Sequence, residues 1–363
     1  MDYEKYIARA KSLVQQGTEA EESSPNAAKY FFIEAAALLA EASKCAPSFE
    51  AKKESLELAN QLYLRAQKTE AEESPQQFTT SSVAFKDIAG MEKVKEEIRL
   101  KLIAPLKYPD VFAKYGKSVG GGILMYGPPG CGKSLLAEAT AGEAGVPFFH
   151  VKASSLKSKY VGETEKNIAK LFDEARKHEA AILFFDEFEA LGADRNKTTF
   201  SYEKNFVSQL LTELDGIGSK AQRLLVIAAT NLPWEIDLAL RRDGRFGSVI
   251  FIPPPDATAR KEMLQMMLKS CPTKDIDSDI LVKLTEGFSG AEIHGLVERA
   301  KEIPLKEFIN TNKLRPVLQE DLLASVKSIH PVSKKWFSDA KQKLKCATDD
   351  PLWVDMQKTI EEV

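Results

Sequence analysis

The chain has 363 residues, of which 44% are hydrophobic and 28% charged, with a formal net charge of −3. At about 150 residues per domain this length predicts two or three folded cores, and the charge balance gives no global attraction for nucleic acid. The start Met1-Asp-Tyr-Glu-Lys-Tyr6 lacks a basic region followed by an apolar core. No apolar run approaches the roughly 20 residues needed to span a bilayer, so the chain reads as cytoplasmic, without a transmembrane segment.

Residues 1–70 carry apolar stripes at helical spacing, first Tyr6, Ile7, Ala10, Leu13 and Val14, then Phe31, Phe32, Ala35, Ala36, Leu39 and Ala42, then Leu56, Ala59, Leu62, Tyr63 and Ala66. The pattern predicts a three-helix bundle with breaks at residues 16–26 and 46–48. Residues 71–84 turn acidic and polar, with too few apolar groups to bury, and are expected to form a flexible linker. From 85 to 255, five unbroken apolar runs alternate with helical patterns: Gly122–Tyr126, Pro147–Val151, Ala181–Phe185, Leu224–Ala229 and Val249–Ile252. Unbroken runs are expected of strands covered by helices on both faces, which predicts an α/β domain on a parallel sheet. After Pro253-Pro-Pro255 strand signals stop, and residues 256–363 read as a helical lid followed by further helices.

Gly127-Pro-Pro-Gly-Cys-Gly-Lys-Ser134 follows the first buried strand and opens a helix, the context required of a phosphate-binding loop. Its glycines let backbone N–H groups converge on phosphate oxygens. Lys133 is expected to reach the β- and γ-phosphates of ATP, and Ser134 to ligate Mg2+. Pro129, Gly130, Cys131, Gly132 and Leu135 complete the nucleotide-binding set. Cys131 needs only to be small here. The four cysteines and four histidines show no CxxC or HExxH spacing, which argues against zinc and disulfide frameworks.

Asp186 and Glu187 end the apolar run Ile182-Leu-Phe-Phe185. Asp186 is expected to hold hydrated Mg2+, and Glu187 to orient the water that attacks the γ-phosphate. Asn231, at the end of a later strand, offers a donor and an acceptor without charge. Arg242 and Arg245 stand in a cation-rich segment, Arg241-Arg-Asp-Gly-Arg-Phe246, that could enter a neighbour's site as fingers.

Over residues 85–330 these motifs, in this order, resemble AAA+ ATPases. The chain is similar to the branch holding the ESCRT-III disassembly ATPases, katanin and spastin, and to the cell-division-cycle unfoldases. By that resemblance Asp87, Ile88 and Ala89 would line the adenine pocket, and Gly290 and Ala291 would lie against the nucleotide. Lys159, Tyr160 and Val161 would form the pore loop that grips an extended substrate. Without the resemblance, Tyr160 reads more readily as a half-buried core residue. The bundle resembles the MIT domain on Glu34-Ala-Ala36, Ala51-Lys-Lys-Glu-Ser-Leu56 and Leu62-Tyr-Leu-Arg-Ala66, which would place Leu64 in a partner groove.

The resemblance implies a ring-forming homo-oligomer, usually a hexamer in the ATP state, that disassembles ESCRT-III-like filaments by threading their subunits and reaches membranes through those partners. An unfoldase feeding a protease and a nucleotide-controlled scaffold are the alternatives. The lid segment 305–322 leaves no room for the β insertion of the eukaryotic enzymes, and Glu203-Lys-Asn205 replaces a common arginine pair.

Overall fold

In the computed structural model the chain divides into two compact units, residues 1–75 and 76–363. The residues described are 3–21, 25–68, 79–116, 120–152, 156, 163–191, 201–217, 223–242, 244–344 and 356–357.

The first unit is three helices, α1 (Tyr3–Ala20), α2 (Pro25–Lys44) and α3 (Phe49–Lys68). Ala10, Phe32, Ala35, Leu39, Leu62 and Ala66 are among the buried core residues, following the predicted stripes. One expectation fails: α1 does not break at Gly17 but continues to Ala20. A Cβ at Gly17 would stand 2.7 Å from the Phe32 ring, so the glycine serves close helix packing and not a turn. Arg65 closes the bundle with a two-point contact to Glu21, Nη2 to Oε2 at 2.7 Å, while its guanidinium lies 4.7 Å from the Phe32 ring centre.

The second unit is built on five parallel strands, β1 (Gly121–Tyr126), β2 (Phe148–Lys152), β3 (Ala180–Asp186), β4 (Arg223–Thr230) and β5 (Ser248–Phe251), in the order β2-β3-β4-β1-β5. The central strands are apolar on both faces because each face has its own core, whereas the outer strand β2 exposes His150 and Lys152 on one face. Phe149, Leu183, Phe185, Val226 and Ala228 belong to one, and Met125, Ile182, Phe184, Ile227 and Ala229 to the other. That arrangement is what unbroken apolar strands demand. Because all strands run the same way, their C-terminal ends share one edge of the sheet, where a crevice opens between loops.

The expected linker 71–84 is too long at its C-terminal end. Thr79 and Phe148 exchange backbone hydrogen bonds at 3.0 and 3.1 Å, and a Cβ on Gly142 would meet the Val83 carbonyl at 2.0 Å. Residues 79–84 therefore lie packed on the α/β domain.

The lid has a separate core of Leu264, Leu281, Phe288, Ile293, Leu296, Val317 and Leu322. Its long helix Gly290–Thr311 starts with a reciprocal cap: Ser289 N–H donates to Glu292 Oε2 at 2.7 Å, and Glu292 N–H to Ser289 Oγ at 3.3 Å. A last long helix, Val332–Leu344, returns to the sheet, where Trp336, Phe337 and Ala340 pack with Tyr126 and Phe251. Among the described residues no helix is long and apolar enough to cross a membrane.

Candidate nucleotide site

A cavity of about 350 Å³ lies beyond the strand ends, lined by Pro129, Gly130, Gly132, Lys133, Ser134, Leu135, Asp186, Glu187, Ala229 and Asn231. These residues come from the loop after β1, the end of β3 and the end of β4. The sheet register explains the convergence: β4 separates β1 from β3, so the three strand ends stand side by side.

The loop adopts backbone angles that side chains resist. Gly130 and Gly132 have φ of +74° and +86°, and Gly132 caps the helix Lys133–Ala144. A Cβ at Gly130 would stand 2.8 Å from Ala291 Cβ. Only glycine fits there. The lid touches the loop at the same point, where Ala291 N–H donates to Gly130 O at 3.0 Å. Gly290 approaches the same carbonyl: its added Cβ would lie 3.4 Å from Gly130 O.

Lys133 is buried, and its ammonium donates to Gly127 O at 2.9 Å, Pro128 O at 2.8 Å and Asn231 Oδ1 at 2.7 Å. Burial lowers its pKa to about 8, partly opposed by the Glu189 and Asp186 carboxylates. Ser134 Oγ donates to Asp186 Oδ2 at 2.8 Å. Burial works against ionisation of Asp186, yet hydrogen bonds from His150, Ser134 and the Glu187 N–H hold its pKa below the ordinary carboxylate value. Two hard oxygen donors thus converge at one point, a donor set suited to Mg2+, which takes few protein oxygens and keeps several waters. Glu187 is exposed and sits at φ +50°, ψ +45°, a left-handed conformation in a residue that ordinarily avoids it. Such backbone strain costs of order 1–3 kcal/mol and persists where surrounding structure imposes it. Cys131 is buried, with its thiol pushed up to about 12 by burial.

Two neighbours escaped the sequence reading. Glu189 Oε1 faces the Asn231 N–H at 3.4 Å and its Nδ2 at 3.5 Å. His150, exposed in the middle of β2, brings Nε2 to 3.6 Å from Asp186 Oδ2. An acid two residues beyond the Asp-Glu pair was the one available signal for Glu189. His150 needed the pairing of β2 with β3.

Other expected residues lie elsewhere. Asp87, Ile88 and Ala89 are not among the cavity's lining residues. The Asp87 carboxylate accepts the Ala84 N–H at 2.9 Å, while Ile88 packs in the core with Cys131 and Leu136. Arg242 is exposed, and Arg245 is committed within its own chain, Nε to Asp215 Oδ1 at 2.7 Å, Nη2 to Oδ2 at 2.8 Å and Nη1 to Ala239 O at 2.8 Å. That pairing raises the arginine pKa and lowers the aspartate's. Neither arginine lines the cavity. Lys159, Tyr160 and Val161 fall outside the described residues. In the bundle a cavity of about 400 Å³ opens between α1 and α3, with Ile7, Val14, Leu58 and Leu62 in its wall. Leu64 is half exposed and lies away from it.

Residues 123–254 match the AAA family, the ATPase family associated with various cellular activities, and residues 275–319 match the AAA+ lid domain. The chain is 39% identical over 264 residues to Protein SAV of Sulfolobus acidocaldarius, across 69% of this chain and 34% of the relative. It is 40% identical over 266 residues to the Cell division cycle protein 48 homolog of Archaeoglobus fulgidus, across 73% and 36%. With a putative cell division cycle ATPase of Plasmodium falciparum the identity is 40% over 242 residues, across 66% and 20%. The chain thus spans between a fifth and little more than a third of the length of these curated relatives. A phosphate loop opening a helix beside an Asp-Glu pair, on a five-stranded parallel sheet with a helical lid, agrees with both matches, and the chain carries an AAA domain followed by an AAA+ lid domain.

Proposed function

We propose that the protein hydrolyses ATP and uses the energy to remodel other proteins in the cytoplasm as a ring, most simply a hexamer. The observation that carries this is the single cavity into which Lys133, Ser134, Asp186, Glu187 and Asn231 converge. A triphosphate entering it would take over the Lys133 ammonium from the Gly127 and Pro128 carbonyls, exchanging neutral acceptors for charged ones. Ser134 and Asp186 would hold Mg2+, which supplies charge neutralisation of the β- and γ-phosphates. Glu187, exposed at the rim, accepts a proton from the attacking water. Asn231 holds that water or the γ-phosphate through an amide that already bridges Lys133 and Glu189. Arg242 and Arg245, outside their own cavity, would serve the site of an adjoining copy.

In this reading the client is an ESCRT-III-like filament subunit, gripped by Lys159, Tyr160 and Val161 and recruited by the bundle. The apolar cavity between α1 and α3 supports recruitment of an amphipathic segment, with Leu58 and Leu62 in the wall instead of Leu64. An unfoldase or segregase acting on other clients is the second reading, favoured by the similarity to the cell division cycle homologue of Archaeoglobus fulgidus.

Glu187→Gln in the full chain should keep Mg2+-dependent ATP binding and lose turnover by about 10²–10⁴-fold, the usual worth of a positioned base. Leu58→Asp, at an exposed position in the cavity wall, should then abolish capture of an ESCRT-III-like polymer by that trapped protein, with ATP binding intact. Loss of turnover without any filament capture would favour the unfoldase reading. Turnover that survives Glu187→Gln would sink the hydrolytic one.

A further inference from the structure

The helix Val332–Leu344 contacts both the lid and the end of β4. At its start, Val332 N–H donates to Glu292 Oε1 at 2.7 Å, and Ser333 Oγ–H donates to the Gly287 carbonyl. Both acceptors belong to the lid segment whose Ala291 N–H is bonded to the phosphate loop. One turn later Trp336 lies over the sheet edge, its ring centre 6.3 Å from Phe251 and 5.8 Å from Trp234. There its indole Nε1–H donates to the main-chain carbonyl of Asn231 at 2.6 Å.

We propose that Trp336 is a positioning residue for Asn231, through which the helix Val332–Leu344 ties the geometry of the Asn231 amide to the lid. The inference rests on Asn231 lying at the γ-phosphate, as in the function proposed above. Asn231 is the first residue beyond β4, where no ladder bond fixes its main chain. Two side chains from other elements hold it instead, Glu189 on the N–H side and Trp336 on the carbonyl side. The contact is short and the indole is 6% exposed, so a displaced Asn231 leaves a buried donor without its acceptor. The constraint runs both ways by linkage: a lid that swings away pulls the donor off the carbonyl, and a nucleotide that moves Asn231 loosens the helix. Only the N–H carries this role. The ring itself is held by stacking on Phe251 and by the edge contact with Phe337 at 5.3 Å.

Trp336→Phe in the full chain keeps an aromatic ring and removes the donor. Steady-state hydrolysis under assembly conditions, with Mg-ATP titrated, should show kcat reduced about 5–20-fold, the worth of one buried hydrogen bond, with KM unchanged within about twofold. Glu187→Gln with Trp336 intact, titrated with a fluorescent ATP analogue, reports on the nucleotide site by itself. If that protein binds no nucleotide, the site reading fails, and the proposal with it. If it binds and Trp336→Phe turns over at the parental kcat, or changes KM alone, only the Trp336 proposal is overturned. Should Trp336→Phe lower the melting midpoint enough to unfold the protein, benzothienylalanine at position 336, which keeps the two-ring shape without the N–H, replaces it. Parental kcat in that protein overturns the proposal, and the same 5–20-fold loss at constant KM supports it.

Discussion

The phosphate loop and the arginine turn belong to the same sheet, yet one is an organised site and the other satisfies itself. Around Lys133, three strand ends, a helix start and the lid's Ala291 meet within one chain, and the polar groups aim into the cavity. Around Arg245 the guanidinium turns back onto Asp215 and Ala239 of its own chain. A site assembled in cis is visible in one chain, whereas a group proposed to serve a neighbour shows here only its contacts within its own chain. The Asp215 pairing is half solvent-exposed, with Asp215 at 55% and Arg245 at 20% side-chain exposure, and exposed pairs contribute about 0–1 kcal/mol. If Arg245 serves an adjoining copy, as proposed above, that copy's γ-phosphate competes against a weak holder.

That contrast breaks most directly at Arg245. Arg245→Ala should lower turnover of the assembled protein by about 10³-fold or more, on the scale of arginine fingers, and leave the unassembled chain's ATP affinity unchanged. Rate against protein concentration separates the two terms, and equal rates for variant and parent would return Arg245 to a structural role. Next comes Gly130→Ala, which forces a Cβ to 2.8 Å from Ala291 at a φ of +74°. We expect ATP affinity to fall at least about tenfold by calorimetric titration, because the loop and the lid must part. Asp215→Asn sharpens the comparison from the other side: if the pair is storage, turnover shifts by no more than about 5-fold in the same concentration series. The smallest effect concerns Cys131. With its thiol pushed up to about 12 by burial, the thiolate fraction at pH 8 is about 10⁻⁴. N-ethylmaleimide should label exposed Cys45 and spare Cys131 in the folded protein, as read by peptide mass.

The sequence makes the cis site legible because its signals are local. Lys133 and Ser134 stand in a spaced motif, and Asp186 and Glu187 end an apolar run whose lack of alternation marks a doubly covered strand. Asn231 is identified in the same way, at the end of β4. What escaped depends on contacts between distant positions. Trp336 and Asn231 are 105 residues apart, and no periodicity announces an indole that reaches a strand end from a later helix. Gly17 reads as a break because glycine usually is one, and only the Phe32 ring behind it shows that α1 continues. Leu64 rests on the resemblance alone: it lies outside the apolar stripe of α3, stands half exposed and is not in the wall of the α1–α3 cavity.

The two outer strands of the sheet are β2 and β5, and each has company. Thr79 pairs across Phe148 at the edge of β2, while Trp336 and Phe337 pack on the face that Phe251 of β5 shares with Tyr126 of β1. Parallel strands with bare flanks would template one another, chain after chain, into insoluble stacks. A truncated protein starting after residue 84, which bares the edge of β2, would therefore be expected to precipitate on warming before it loses its ability to fold.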